Sequence, residues 1–178
     1  MVYNNESLLA EKVLGGIPQG TGMLWEKIEK FKEQVDSIAG AFTHKAGTKY
    51  EGEMSEMYPL KQHLEGGLYT RELFMPKGHL IISMIHKQNH PSFLLKGKVS
   101  YLTDEGLIET IIAPHVIKTK EGTQRVLFIH EDTNWCCVYK TDAKTFEEAE
   151  GDVYADTYKE LPQEIINKRI LWQDQQQD

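Results

Sequence analysis

Two histidines four positions apart, His86 and His90, and an arginine further along, Arg125, are the side chains of this sequence best suited to chemistry. Imidazole titrates near neutral pH, so it can take or give a proton, and its bare nitrogen is a ligand for divalent transition metals. Guanidinium stays protonated: it cannot ligate a metal, but its forked donors hold a phosphate or carboxylate through two parallel hydrogen bonds. Met84 lies two residues before His86, and in an unbroken strand it shares a face with His86, Leu80 and Ile82. Its thioether suits copper better than manganese or iron.

Each of these residues has a plainer reading as well. A strand histidine is commonly hydrogen-bonded for structure, Arg125 pairs with Glu72 or Asp132 in a structural reading, and Met84 and Trp135 are natural core residues. Trp135 is also a candidate wall of a ligand cavity. His44, His63, His79 and His115 read as surface or structural, and unbroken alternation turns His130 away from Arg125. The two cysteines, Cys136 and Cys137, are adjacent, so a strand points them to opposite faces and they read as reduced core residues.

The elements that must position these groups are short strands. After Gly66-Gly67 the chain turns to β-branched and aromatic runs separated by Gly, Pro, Asp and Asn. The predicted strands are 68–74, 79–86, 92–96, 98–102, 107–112, 115–118, 124–130 and 134–140, enough to close a double-sheet jelly roll. Before them, Leu24, Ile28, Phe31, Val35 and Ile38 recur at helical spacing and predict an amphipathic helix over 23–39, started at Thr21-Gly22 and stopped at Gly40. Its apolar stripe suits either the outside of a sheet or a second copy of the chain. Residues 43–56 read as an exposed loop. After the barrel, 145–150 and 152–160 read as short helices broken at Gly151, Pro162 opens another helix with Ile165, Ile166 and Ile170, and a polar tail begins at Gln173. The expected organisation is a helical extension and loop over 1–66, a β-barrel over 67–141 and a helical segment with the tail over 142–178.

The formal charge of −7 in 178 residues gives no footprint for DNA or RNA. No apolar run is long enough to span a bilayer, and Met1 to Glu6 lacks the basic start and apolar stretch of a signal peptide. A cytoplasmic protein without membrane or nucleic-acid partners is the expectation.

The central region resembles the cupin superfamily, whose first motif reads G, five residues, H-x-H, three or four residues, E, six residues, G. Here Gly78 is followed after five residues by Met84-Ile85-His86, then after three by His90, and after six more by Gly97. The spacing holds while the chemistry departs: Met84 stands for the first metal-binding His and His90 for the Glu. In the weaker second motif Lys120-Glu121-Gly122 replaces P-x-G and Arg125 stands at the last His ligand. The segments at 85–90, 94–99, 122–126 and 130–135 are also similar to single-domain cupin-like proteins of tailed phages and prophages.

The resemblance implies a mainly β, cupin-type jelly roll in which the motif positions converge inside the barrel. Two imidazoles, a thioether and a guanidinium make a poor metal set, so no tightly bound metal is expected. The alternative is a divalent transition metal on His86 and His90 with a carboxylate such as Glu72. Without metal, Arg125, His86, His90, Glu72 and Trp135 would surround a small anionic or nucleotide-like ligand, for instance a captured host metabolite or signal. Two further readings stand beside that one. The first is an enzyme, either metal-dependent or a metal-free phosphodiesterase or isomerase using His86 and His90 as acid and base. The second is a homo-oligomeric assembly module in which the helix over 23–39 reaches across a neighbouring subunit.

Overall fold

The β-branched and aromatic runs fold into antiparallel ladders, closed at their ends by turns that carry the expected glycines. The structure, a computed structural model, describes residues 14–17, 23–37 and 43–174. Its strands are β1 (Leu60–Glu65), β2 (Leu68–Met75), β3 (Leu80–Ile82), β4 (Ile85–His86), β5 (His90–Lys96), β6 (Lys98–Leu102), β7 (Ile108–Ile112), β8 (His115–Thr119), β9 (Val126–Ile129), β10 (Thr133–Lys140) and β11 (Tyr154–Ala155). Its helices are α1 (Leu24–Asp36), α2 (Glu53–Met57), α3 (Phe146–Val153) and α4 (Gln163–Asp174), with one 3-10 turn at Tyr158–Glu160.

One sheet has the order β1-β2-β10-β5-β8, a second β3-β9-β6-β7, and β4 pairs with β11. Within these sheets β2 pairs with β10, β3 with β9, β5 with β8 and β6 with β7, all antiparallel. This nesting of outer pairs around inner ones is what rolling a long hairpin into two facing sheets produces, and it defines the jelly roll. The expected fold class is therefore the fold observed. Gly97 makes the tight corner between β5 and β6 at φ +96°, and a Cβ there would meet Thr133 and the Asp132 carbonyl, so only glycine fits.

Between the sheets lies the main core, with Tyr69, Leu94, Val99, Ile111, Leu127, Ile129, Trp135 and Tyr139 among its members. The apolar stripe of α1 lies on the outer face of the four-stranded sheet, where Ile28 and Phe31 join Leu14, Ile17, Leu102, Val126 and Phe128. Of the two partners the stripe suited, it packs on its own barrel. Burying each such side chain contributes about 1.5–3 kcal/mol, enough to fix the helix to the sheet. At its start Glu26 accepts from the Met23 amide. Thr21, Gly22, Ile38 and Gly40 lie outside the described residues.

Six local expectations change, two of them simply: the loop expected over 43–56 runs into helix α2 at Glu53–Met57, and in place of the short helix expected over 152–160 stand strand β11 at Tyr154–Ala155 and the 3-10 turn at Tyr158–Glu160. The strand predicted over 79–86 breaks at Ser83, whose hydroxyl donates to the Met84 carbonyl and accepts from the Arg125 amide. The break ends the alternation: Leu80 and Ile82 face outward to α1, whereas Met84 packs against the inner core. A strand absent from the sequence reading, β1, pairs along β2, so the sheet begins before residue 66. Gly151 does not interrupt a helix but lies inside α3, which starts with the Thr145 hydroxyl accepting from the Glu148 amide. The tail expected from Gln173 still carries helix to Asp174. No helix among the described residues is long and apolar enough to cross a membrane.

Candidate functional site

Two inward-facing ladders build the site. On the five-stranded sheet the cross-strand pairs run Tyr69 with Tyr139, Arg71 with Cys137, and Leu73 with Trp135. On the four-stranded sheet Ile81 pairs with Leu127, and two residues before Leu127 is Arg125, whose carbonyl accepts from the Ser83 amide at 2.8 Å and whose amide donates to the Ser83 hydroxyl at 2.9 Å. Between the ladders lies a cavity of about 390 Å³, whose walls include Arg71, Leu73, His86, Arg125, Leu127 and Trp135. Parts of α1 and of residues 43–58 complete its remaining side.

His86 is held on β4 by pairing with Tyr154 of β11 and is buried. Its Nδ1 lies 2.9 Å from the Tyr139 hydroxyl, which donates to the Tyr154 hydroxyl at 2.8 Å. Burial raises the pKa values of both tyrosines well above the usual phenol value, so both keep their protons. With the Tyr139 proton spent on Tyr154, Nδ1–H of His86 is the donor and Nε2 is left as an acceptor. Burial, then His90 and the charges of Arg125 and Arg71, pushes the His86 pKa well below the ordinary value. The ring is therefore neutral at neutral pH.

His90 packs behind it with its ring tilted, the centroid 4.6 Å from that of His86 and 4.1 Å from that of Tyr139. Both of its nitrogens are engaged: Nδ1 donates to the Gln88 carbonyl at 3.0 Å, and Nε2 accepts from the Ser92 hydroxyl at 3.2 Å. Burial lowers its pKa to about 4, against a smaller upward pull from the Gln88 carbonyl. His90 is not part of the cavity wall. It supports His86 from behind.

Arg125 is 7% exposed, and its Nε has no hydrogen-bond partner among the described residues. The guanidinium carbon sits 5.6 Å from the Tyr101 ring centroid, a cation–π contact that offsets only part of a buried charge. Neither structural ion pair read from the sequence forms. Glu72 accepts from Asn134 Nδ2 at 2.6 Å and lies 3.6 Å from Lys61, and Asp132 accepts from the Lys77 amide.

Of the residues expected at the site, His86, Arg125 and Trp135 border the cavity together. Glu72 does not, because it alternates with Arg71 and Leu73 and so occupies the other face of β2. The sequence reading missed Arg71, Glu150 and His44. Glu150, on α3, is 1% exposed and accepts from His44 Nε2 at 2.7 Å, Arg71 Nε at 3.2 Å and the Tyr69 hydroxyl at 3.3 Å. Burial alone would raise its pKa, but the His44 hydrogen bond and the charge of Arg71 hold it below the usual value. The signal for Arg71 was its place in the period-two row Tyr69, Arg71, Leu73, Met75, where a cation interrupts a core face. Nothing comparable marks His44, in an irregular segment.

The fit of a metal is poor. His90 has no free nitrogen, Arg125 places a positive charge beside His86, and no group of three His, Cys, Asp or Glu side chains gathers around a point among the described residues. One imidazole and a thioether beside a guanidinium do not hold a divalent ion tightly.

No protein-family model matches the sequence, and no curated protein does. Among solved structures the chain is similar to a cupin 2 domain-containing protein from Halorhodospira halophila, at 8% identity and TM-score 0.44, with 67% of this chain and 81% of that one covered. It is also similar to the Cupin_2 domain of an XRE family transcriptional regulator from Enterobacter cloacae, at 9% identity and TM-score 0.41, covering 49% and 99%. A third is an acetylacetone dioxygenase from Acinetobacter johnsonii, at 17% identity and TM-score 0.40, covering 56% and 78%. Neither ligand nor reaction passes across such distances, and the jelly-roll assignment stands on the nested strand pairing of the chain itself.

Proposed function

We propose that the barrel binds a small anionic molecule, with Arg125 and Arg71 as its charged contacts and the neutral His86 beside them. The observation that supports this most is Arg125. A guanidinium buried at a cavity wall with an unpartnered Nε is costly to the free protein, and a carboxylate or phosphate in the cavity supplies the missing acceptor. Arg71 adds a second cation whose Nε is committed to Glu150, while no other hydrogen bond of its guanidinium forms among the described residues. The similarity of the motif segments to phage proteins suggests a host metabolite or signal as the source of the anion.

Native mass spectrometry of the purified chain tests the reading. The parent is expected to carry a small acidic molecule that Arg125→Gln lacks, and calorimetry should show at least a tenfold loss of affinity in the variant, as expected for removing a charge-assisted pair. If Arg125→Gln binds every candidate anion as the parent does, the proposal fails.

An enzymatic reading has narrower support, the bare Nε2 of His86 at the cavity wall. Turnover of a phosphodiester or an isomerisable sugar that His86→Gln abolishes, with folding intact, would establish it. Self-association is a further proposal: the edge strands β7 and β8 leave Ile112 and Val116 exposed, and a second copy would cover them.

A further inference from the structure

The cavity is polarised along its length, and this says what kind of anion fits. On β2 the inward row runs Arg71, Leu73, Met75, and on β9 and the residue before it the row runs Arg125, Leu127, Ile129. The two rows are aligned. Met75 is joined by the short turn at Pro76-Lys77-Gly78 to His79, whose carbonyl accepts from the Ile129 amide, and the Gly78 amide donates back to the Ile129 carbonyl. At the other end His86 feels both Arg125 and Arg71. Both guanidiniums therefore lie at the His86 end, and both strands become apolar toward Met75.

Beyond the arginines the inner walls offer Leu73, Ile81, Leu127, Trp135 and Met75, which have no hydrogen-bonding group apart from the single indole N–H. A phosphorylated sugar or a nucleotide would bury hydroxyls or base edges there without partners, at a cost of roughly 1–3 kcal/mol per group. The side closed by α1 and residues 43–58 adds Lys32, Asp36, Thr43, His44, Tyr50 and Tyr58, of which His44 is committed to Glu150, the Tyr50 hydroxyl to the Tyr58 carbonyl and the Tyr58 hydroxyl to His79. Four residue rises along the strand lead from Arg71 to Met75, about 13 Å.

Resting on the anion-binding reading, we infer that the ligand is an amphipathic carboxylate of medium chain length, its carboxylate at Arg125 and Arg71 and its apolar body along Leu73, Leu127 and Trp135 toward Met75. The head group gains charge-assisted bonds from an arginine whose Nε otherwise lacks an acceptor, and the body leaves water for inner ladders whose one hydrogen-bonding group is the indole N–H.

Calorimetry of the full chain at neutral pH with butyrate, hexanoate, octanoate, inorganic phosphate and AMP tests this. Octanoate is expected to bind saturably, with affinity falling about fourfold for each methylene removed, and Arg125→Gln should weaken it at least tenfold. Equal affinity across the three acids, or octanoate binding indifferent to Arg125, overturns the inference. If phosphate or AMP binds through Arg125 and octanoate does not, the inference fails and the anion-binding reading stands. If none of these anions binds, both fail.

Discussion

Arg71 and Arg125 border the same cavity from opposite sheets, and their surroundings treat them in opposite ways. Arg71 is enclosed: its Nε donates to Glu150, its guanidinium carbon lies 5.8 Å from the Tyr50 ring centroid and 5.7 Å from that of Tyr154, and Glu150 is further held by His44, Tyr69 and Gln62. That cluster joins four parts of the chain, the segment after α1, strands β1 and β2 and helix α3. Arg125 has the Tyr101 ring and nothing that accepts its Nε proton. A buried pair is strongly destabilised when one member is lost, whereas an unpaired buried charge weakens the fold from the start. One arginine fastens the barrel, and the other keeps a buried Nε without an acceptor, as the proposed binding role requires.

Removing the carboxylate that separates the two cases is the most severe way to break the contrast. Glu150→Ala leaves Arg71 buried without its counter-charge and His44 without its acceptor, so a loss of about 3–5 kcal/mol is expected in urea unfolding. A loss below about 1 kcal/mol would mean that Arg71 rehydrates through the cavity, and the two arginines would then differ in name only.

Acidification acts next, on the histidines behind Arg125. His90 has a folded pKa of about 4 against roughly 6.5 unfolded, and His86 is lowered in the same direction. The unfolded chain thus binds more protons in this window, and stability rises with pH. It is complete above about pH 6.5 and falls as the pH drops toward 4, by on the order of 3 kcal/mol from His90. Urea midpoints between pH 7 and about 5.5 measure its onset, above the range where most unfolded carboxylates take up protons. His90→Asn should flatten the slope; an unchanged slope would place the acid sensitivity elsewhere.

The barrel was legible because its signal is local. Period-two rows, turn residues and the spacing from Gly78 to Gly97 each depend on neighbours in sequence, and the strands fall within a few residues of where those rows put them. The site was legible in part for the same reason: a row of alternating residues places Arg125 inside with Leu127 and Ile129. What escaped was set by tertiary partners. Ser83 breaks β3 from β4 through bonds to Arg125, 42 positions away, and that break carries Leu80 and Ile82 to the outer face while Met84 stays inside. Glu150 reads as one more acidic residue in TFEEAEGDV until α3 packs it against Arg71, 79 positions away. His90 matches the motif spacing, yet Gln88 and Ser92, two residues to either side, engage both its nitrogens.

The smallest expected effect is also the one that separates the two arginines by sign. Arg125→Met keeps the length and much of the apolar bulk of the side chain while deleting the unpaired charge, and its methyl end can rest on Tyr101 and Leu127 at the cavity wall. In the ligand-free protein the variant should be more stable than the parent by about 1–2 kcal/mol, read as a higher urea midpoint with an unchanged slope. The same change at the other site, Arg71→Met, strands Glu150 and should destabilise. If both substitutions destabilise alike, Arg125 is as structural as Arg71, with an acceptor that ordered water supplies, and the case for an anion in the cavity loses its footing. If Arg125→Met stabilises and Arg71→Met does not, the charge at position 125 is held against the interest of the fold.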